Sequence, residues 1–206
     1  MFDNSFRHRF GAAVQPVLPA LARTGVTPNQ ITVVTFALAL AAAASIGMGY
    51  PFTGLAIWLV SRAGDGLDGA LARQTGRASP FGGYLDITLD MAGYSAMVLG
   101  FAAAHPALWP AWICVLAGYV LAITTTLALS DAGRAAGRPI GRGDRTFQFT
   151  PAITEAGETT IIYSLWVLFP AYLPWLAWLW VGALAATAVQ RTLVAARILR
   201  GNGRRL

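Results

Sequence analysis

The 206-residue chain has few charged residues and no lysine at all. Charged side chains make up 12% of the sequence, whereas soluble domains carry about 25%. Hydrophobic residues make up 56%. This composition argues against an ordinary soluble domain and indicates a polytopic membrane protein. A chain of this length has room for one helical membrane bundle. We therefore expect a single membrane domain over residues 1–206, with no separate soluble domain.

Cysteine and histidine are also scarce. The only cysteine, Cys114, excludes an intramolecular disulfide, and the two histidines have no cysteine at zinc-binding spacing. The net charge of +6 comes from arginines that are dispersed between apolar segments, without a nucleic-acid recognition motif. We therefore expect no nucleic-acid partner, despite the basic composition.

Residues 1–26 have the pattern of an amphipathic helix. Apolar residues recur three and four positions apart at Phe6, Phe10, Val14, Leu18 and Leu21. Arginines lie between and after them, which is typical of a helix that lies in the membrane interface. An ordinary packing helix is the alternative. The segment lacks the uninterrupted apolar core of a cleavable signal peptide.

Six apolar segments approach the length of about 20 residues that a membrane-spanning helix needs. They lie near residues 29–49, 52–74, 82–104, 107–129, 152–169 and 173–199. Thr27 suits the N-cap of the first helix, and Pro28 suits its first turn. The predicted fold is therefore all-α, with six transmembrane helices in residues 27–200 after the interfacial helix.

The arginines predict the orientation of this bundle. They precede the first span, surround the end of the second, fill the connection between the fourth and fifth, and lie at the C-terminal end of the chain, where Arg191 is the first of them. The other three connections contain none. Since positive charge is retained in cytoplasmic loops, we expect both termini in the cytoplasm.

Four of the nine acidic residues lie within 26 residues of this apolar sequence, at Asp65, Asp68, Asp86 and Asp90. The first two are three positions apart and the last two are four apart, so each pair shares one helix face. The segment between the pairs contains glycine and proline, and it turns the chain back toward the membrane. We therefore expect the two acidic faces to meet on the cytoplasmic side.

Oxygen ligands without histidine or cysteine suit Mg²⁺, Mn²⁺ or Ca²⁺. Two such ions would neutralise four carboxylates and could clamp the attacking and leaving oxygens of a phosphoryl group. Gly69 and Ala72 leave room beside the helix, and Arg73 can hold a diphosphate. Two alternatives stay open from spacing alone. Nearby arginines, Arg62 among them, could neutralise the acids in a salt-bridged hairpin, or the acids could line a proton or cation pathway.

The acids belong to a longer pattern, Asp65-x-x-Asp68-Gly69-x-x-Ala72-Arg73, then eight residues, then Gly82-x-x-x-Asp86-x-x-x-Asp90. This pattern resembles the signature of the CDP-alcohol phosphatidyltransferases, with every motif position present. The segment TPNQIT, residues 27–32, is similar to the start of that family's first membrane helix. The resemblance implies six transmembrane helices, a homodimer and a site that faces the cytoplasm.

The resemblance also implies an activity of phospholipid synthesis. A substituted phosphate passes from a CDP-alcohol, commonly CDP-diacylglycerol, to the hydroxyl of a small polar acceptor, and CMP is released. The four aspartates would bind two divalent cations, Mg²⁺ or Mn²⁺, and Asp90 would also deprotonate the acceptor. Contacts with the CDP group would come from Asn29, Gln30, Ile31, Thr32, Gly69, Ala72, Arg73, Ser79 and Gly82. The implied location is the inner membrane of a bacterium, with the active site in the cytoplasm.

The region 131–163 is expected to select the acceptor. Arg134 and Arg145 could bind an anionic acceptor such as a phosphorylated polyol, or they could serve only as topology determinants. Glu155 and Glu158 could orient acceptor hydroxyls. Alternatively, they could only stabilise the helix that they begin, because acidic side chains interact favourably with the dipole at a helix N-terminus.

Two branches of the family differ from this chain near these positions. In the inositol-phosphate branch, arginines follow the corresponding glutamates, where this chain has Ala156 and Thr159. The glycerophosphate branch has a lysine after the last motif aspartate, where this chain has Met91. The sequence therefore predicts no particular acceptor. A transporter with an acidic site and a catalytically silent family member are the competing classes.

Overall fold

The computed structural model describes residues 15–137, 154 and 156–200. Within them all regular structure is helical, which confirms the predicted all-α class. The α-helices are α1 (Leu18–Arg23), α2 (Pro28–Gly47), α3 (Pro51–Thr75), α4 (Pro80–Ala104), α5 (Trp109–Ala135), α6 (Ala156–Leu168) and α7 (Leu173–Arg200). Short 3₁₀ turns, Pro106–Leu108 and Pro170–Tyr172, precede α5 and α7.

Local sequence signals account for the ends of the helices that carry the acids. Thr27 caps α2: its hydroxyl accepts a bond from the Gln30 N–H at 3.3 Å, and Gln30 Oε1 accepts one from the Thr27 N–H at 2.9 Å. This reciprocal pair confirms the predicted cap. Helix α3 ends at Gly76, whose φ of 65° is left-handed, and this conformation lets the chain turn toward α4.

In the part of the chain that the structure describes, four helical segments are long and apolar enough to cross a membrane: Pro28–Gly47, Pro80–Ala104, Pro106–Ala135 and Pro170–Leu199. The polytopic membrane fold is therefore confirmed. Two of the predicted spans differ from these. Helix α3 has 25 residues but carries several charged residues in its second half. Helix α6 has 13 residues and rises about 20 Å, less than the roughly 30 Å of a hydrocarbon core. The count of six spans stays a prediction.

The predicted interfacial helix falls partly outside the described residues, which begin at position 15. The part within them is α1, a helix of 6 residues that packs against α3. Leu18 is buried there, so the helix uses an apolar face for packing inside the protein. Its position at a membrane interface stays a prediction.

The helices form two groups. Helix α2 packs against both α3 and α4, whereas α5 packs against α7. Helix α4 contacts α5, and α6 contacts α3 and α7, so these contacts join the groups. Glycine allows the closest approach within the first group: a Cβ at Gly100 would overlap the backbone of Ala43. The two acidic segments therefore lie on helices that both pack against α2.

Buried aromatic side chains fill the junction between the two groups. Trp58 lies 5.4 Å from Tyr163, and Phe101 lies 5.0 Å from Trp166, between ring centroids. A chain of hydrogen bonds crosses the same region. Trp180 Nε1 donates to the Tyr119 hydroxyl at 3.0 Å, the Tyr119 and Tyr163 hydroxyls are 2.7 Å apart, and Tyr163 donates to the carbonyl of Tyr94 at 3.0 Å. Because Tyr163 gives its one proton to that carbonyl, Tyr119 is the donor between the tyrosines.

Candidate active site

Three of the four motif acids come together between α3 and α4. One carboxylate oxygen each of Asp65, Asp68 and Asp86 lies within 4.8 Å of the other two, and we call these residues the three-acid group. Asp68 is buried, Asp65 is half-buried and Asp86 is exposed. The predicted meeting of the two acidic faces is present for these three side chains. Three carboxylate oxygens at this separation fit a Mg²⁺ or Mn²⁺ ion, which prefers oxygen ligands.

The buried acid of the group is held by the start of α2. The Thr32 hydroxyl donates to Asp68 Oδ2 at 2.5 Å, and the Gly69 N–H contacts Asp68 Oδ1. Thr32 is itself buried, with an exposed fraction of 5%. We predicted a CDP contact for this residue from the family pattern. The structure gives its hydroxyl a different partner, since it fixes a carboxylate of the three-acid group.

The fourth acid, Asp90, lies outside the three-acid group and pairs with an arginine. Arg62 Nη1 lies 2.5 Å from Asp90 Oδ1 and 3.7 Å from Asp65 Oδ2. The guanidinium also lies over the ring of Trp58, 4.5 Å from its centroid. One alternative that the sequence left open was a salt-bridged hairpin in which Arg62 neutralises motif acids. The structure contains such a contact.

Residues predicted to contact CDP gather where α2 and α4 begin. Ser79 caps α4 by accepting from the Gly82 N–H at 3.0 Å. A Cβ at Gly82 would lie 3.2 Å from both Asn29 Oδ1 and Ser79 Oγ, so the side chains of two predicted positions meet beside a third, the glycine. On α3, Arg73 Nη1 would lie 3.4 Å from a Cβ at Gly69, which places the guanidinium beside this glycine.

The remaining predicted CDP residues are placed differently. The side chain of Gln30 completes the cap of α2, as described above. Ile31 and Ala72 are half-buried. An open apolar groove of about 490 Å³ runs beside this region between α2 and α4. It is lined by Asn29, Gln30, Val33, Val34, Phe81 and Leu85.

The predicted acceptor residues are only partly described. Arg145 and Glu155 lie outside the described residues. Arg134 is exposed near the end of α5 and its Nη2 lies 3.3 Å from Ser130 Oγ, whereas Glu158 is half-buried in the first turn of α6.

A further arginine was predicted only as a topology determinant: Arg191 on α7 is buried, and its Nη1 donates to the carbonyl of Ala122 at 2.6 Å.

Sequence reasoning missed the specific pairing of Arg62 with Asp90. One signal could have pointed to part of it. Arg62 precedes Asp65 by three positions, so both side chains share a helix face with Asp68 and Gly69. The choice among four nearby acids depends on how α3 and α4 are arranged around α2, and the sequence pattern does not contain that information.

Residues 25–189 match the family model of the CDP-alcohol phosphatidyltransferases. The matched range includes the start of α2 and the whole acidic pattern. An all-helical membrane domain with a carboxylate site of this kind defines a membrane-embedded phosphotransferase. The chain belongs to the CDP-alcohol phosphatidyltransferase family.

Two curated relatives are similar over most of their length. The inner membrane protein YnjF of Escherichia coli is 33% identical over 178 residues, which are 84% of this chain and 84% of the relative. The archaetidylinositol phosphate synthase of Pyrococcus horikoshii is 35% identical over 153 residues, 73% of this chain and 74% of the relative.

Two crystal structures of the phosphatidylinositol phosphate synthase of Mycobacterium tuberculosis have the same fold. The complex with manganese and citrate has a TM-score of 0.70 and 27% identity, and it covers 88% of each chain. The structure with CDP-DAG bound has a TM-score of 0.65 and 26% identity, and it covers 88% of this chain and 92% of that chain.

Membership of the family defines the class of reaction. The protein is a transferase of phospholipid biosynthesis that uses divalent metal ions and moves a substituted phosphate from a CDP-alcohol to a hydroxyl group, releasing CMP. This conclusion favours the transferase over the transporter that the sequence left open.

Proposed function

We propose that the protein transfers a phosphatidyl group from CDP-diacylglycerol to a hydroxyl of a small polyol phosphate, on the cytoplasmic side of the inner membrane of a bacterium. The three-acid group carries this proposal, since its oxygens lie within 4.8 Å of one another beside Gly69 and Arg73. Carboxylates gathered in this way suit a metal-dependent transfer of a phosphate group.

Two features support CDP-diacylglycerol as the donor. The groove between α2 and α4 is apolar and begins at Asn29, where it adjoins the residues proposed to bind CDP. An acyl chain in this groove would place the head group of the same molecule near the start of α4. The synthase of Mycobacterium tuberculosis, which has the same fold, was crystallised with CDP-DAG.

The motif acids would hold two divalent cations. The three-acid group would supply the oxygens for one ion, and Asp90, which contacts the same guanidinium as Asp65, would join Asp65 for the second. When bound, such ions supply positive charge that neutralises the diphosphate and polarises its phosphorus–oxygen bonds. Among the residues of the chain, Arg73 would bind the diphosphate through its planar guanidinium, and the small Gly69 gives it access.

Asp90 would receive the proton of the acceptor. A bond then forms between the acceptor oxygen and the phosphorus that carries the diacylglycerol, while the bond from that phosphorus to the CMP oxygen breaks. The electron pair leaves with CMP, and the proton leaves the acceptor oxygen for the Asp90 carboxylate. Asp90 is half-buried, with a side-chain exposed fraction of 20%, so this carboxylate can be reached from outside.

The proposal for the acceptor depends on the names of the relatives and on charged residues on or next to α5 and α6. Curated relatives include the archaetidylinositol phosphate synthase named above, whose product is a phosphorylated inositol lipid by name. Arg134 near the end of α5 would bind the phosphate of the acceptor, together with Arg145. Glu158 in the first turn of α6, together with Glu155, would orient the polyol hydroxyls.

The positions that follow these glutamates favour a binding mode different from that of the inositol-phosphate branch. Thr159 is buried, with an exposed fraction of 4%, so an arginine would not fit at that position without repacking. The acceptor phosphate would therefore depend more on Arg134 and Arg145. We also propose a single domain with six spans in residues 27–200, a homodimer, and both termini in the cytoplasm.

An acceptor screen tests the proposal. Purified protein with CDP-diacylglycerol and Mn²⁺ is given inositol 1-phosphate, inositol, glycerol 3-phosphate or serine, and CMP release and product mass are measured. We expect release only with a polyol phosphate. Asp65→Asn should lower the rate at least about 100-fold, whereas Tyr172→Phe, at an exposed side chain just before α7, should not. Normal activity of Asp65→Asn would contradict the metal site, and release with serine alone would contradict the acceptor.

A further inference from the structure

The guanidinium of Arg62 is surrounded by side chains from α3 and α4. Trp58 and Asp65 lie four positions before and three positions after it on α3, and Asp90 and Tyr94 lie four apart on α4. The guanidinium is 4.5 Å from the centroid of Trp58 and 5.5 Å from that of Tyr94. Its nitrogen Nη1 faces the two carboxylates. Two aromatic rings and two acids thus surround one cation.

The guanidinium is also fixed from the side of α2. Ser61 Oγ donates its proton to the carbonyl of Thr35 at 2.8 Å, and it accepts a bond from Arg62 Nη2 at 3.2 Å. The Arg62 side chain is 11% exposed. A planar group held by hydrogen bonds on one edge and by aromatic faces has little freedom to rotate. Its bond to Asp90 therefore fixes the orientation of that carboxylate.

This arrangement separates Asp90 from the other motif acids. The oxygens of the three-acid group converge without it, while its own Oδ1 accepts from Arg62. A cation in the three-acid group therefore meets Arg62 only across its longer contact of 3.7 Å with Asp65. A cation that also takes Asp90 must compete with a guanidinium that already neutralises it.

We propose that Arg62 is a positioning residue that orients the carboxylate of Asp90 toward the acceptor and weakens the binding of the second divalent cation. This inference rests on the proposed function, because it concerns the same site. It differs from simple neutralisation of the motif acids. Loss of Arg62 should have two opposite effects: the protein should bind the second cation more tightly, and it should catalyse the transfer more slowly. The change in metal binding should depend on the presence of Asp90.

Manganese titration tests the first effect without any substrate. Bound and unbound Mn²⁺ are measured by electron paramagnetic resonance on the unmutated protein, Arg62→Met, Asp90→Asn and the double variant. Arg62→Met should strengthen the weaker class of Mn²⁺ site by about tenfold or more, because a positive charge next to that site is removed. In the Asp90→Asn background the same substitution should change the Mn²⁺ affinity of the remaining site clearly less, by about threefold or less, because only the 3.7 Å contact of Arg62 with Asp65 is then lost.

The matched control is Arg77→Met, which removes an exposed arginine after α3 and should leave Mn²⁺ binding unchanged. Weaker or equal Mn²⁺ binding in Arg62→Met would overturn the proposal, as would an equal effect in both backgrounds. If Arg62→Met does not fold, Arg62→Gln is used, since it also removes the charge but keeps a hydrogen-bond donor.

Steady-state kinetics test the second effect with CDP-diacylglycerol and the acceptor that supports CMP release in the unmutated protein. Arg62→Met should lower kcat at least about tenfold and change KM for CDP-diacylglycerol less than about threefold. Arg62→Lys keeps the charge and should recover part of kcat. An unchanged kcat in folded Arg62→Met would overturn the positioning role. If the unmutated protein released no CMP, the proposed function would fail, while the Mn²⁺ titration would still test Arg62.

Discussion

The hydroxyl of Thr32 donates a 2.5 Å hydrogen bond to the carboxylate of Asp68, and so joins two parts of the family pattern that are 36 residues apart. The bond crosses from α2 to α3, and both side chains are buried. The segment at the start of α2 therefore helps to form the candidate metal centre in addition to beginning a helix.

Replacing Thr32 with valine should weaken the metal centre. Valine has nearly the same shape but cannot donate a proton, so Asp68 would lose a partner in a buried position. We expect the protein to lose about 1–3 kcal/mol of stability and to bind Mn²⁺ less tightly. Thermal unfolding and Mn²⁺ titration measure the two effects. Thr32→Ser, which keeps the hydroxyl, should retain most of the Mn²⁺ affinity, and equal binding by the valine and serine variants would contradict this role.

Removal of divalent ions should abolish activity and lower stability together. Without a cation the carboxylates of the three-acid group repel one another across less than 5 Å, whereas an ion that binds only the folded protein stabilises it. We expect a chelator to stop CMP release and to lower Tm, and Mn²⁺ in excess to restore both. Activity that persists in the chelated protein would show that the acids serve another purpose.

A methyl group at Gly82 should interfere with the donor. The new Cβ of Gly82→Ala would lie 3.2 Å from Asn29 Oδ1 and Ser79 Oγ and would push these side chains from their positions. We expect KM for CDP-diacylglycerol to rise about tenfold, with a smaller change in kcat. Gly182→Ala is the control, because nothing lies within 4 Å of its Cβ, and it should leave KM unchanged. Equal KM values for the two variants would remove Gly82 from the proposed CDP site.

Loss of one hydroxyl in the core should loosen the contact between the two helix groups. In Tyr163→Phe the carbonyl of Tyr94 and the hydroxyl of Tyr119 each lose a buried partner. We expect a loss of about 1–3 kcal/mol in the free energy of unfolding, measured in detergent. Tyr172→Phe removes a hydroxyl from an exposed side chain and should be neutral. A neutral Tyr163→Phe would mean that packing alone joins the groups.

The sequence could predict the elements and the acids, because both depend on local spacing. The cap at Thr27 and the shared helix faces follow from positions three and four apart, and the structure has them. The partner of Asp90 could not be predicted in this way, since Arg62 contacts two acids and the arrangement of α3 and α4 around α2 decides which one lies closer. The burial of Thr32 is likewise a property of three packed helices.

The division of the bundle into two helix groups has a consequence for divergence. Helices α2–α4 contain the motif acids and most of the residues proposed to bind CDP, whereas α5–α7 contain Arg134 and Glu158, which are proposed to bind the acceptor. A buried aromatic core joins the two groups. If the proposed acceptor residues are right, we expect substitutions on α5–α7 to alter which alcohol is accepted without moving the carboxylates of the three-acid group. Related proteins with this division could keep the same phosphate-transfer site while residues of the other helix group change to accept different head groups.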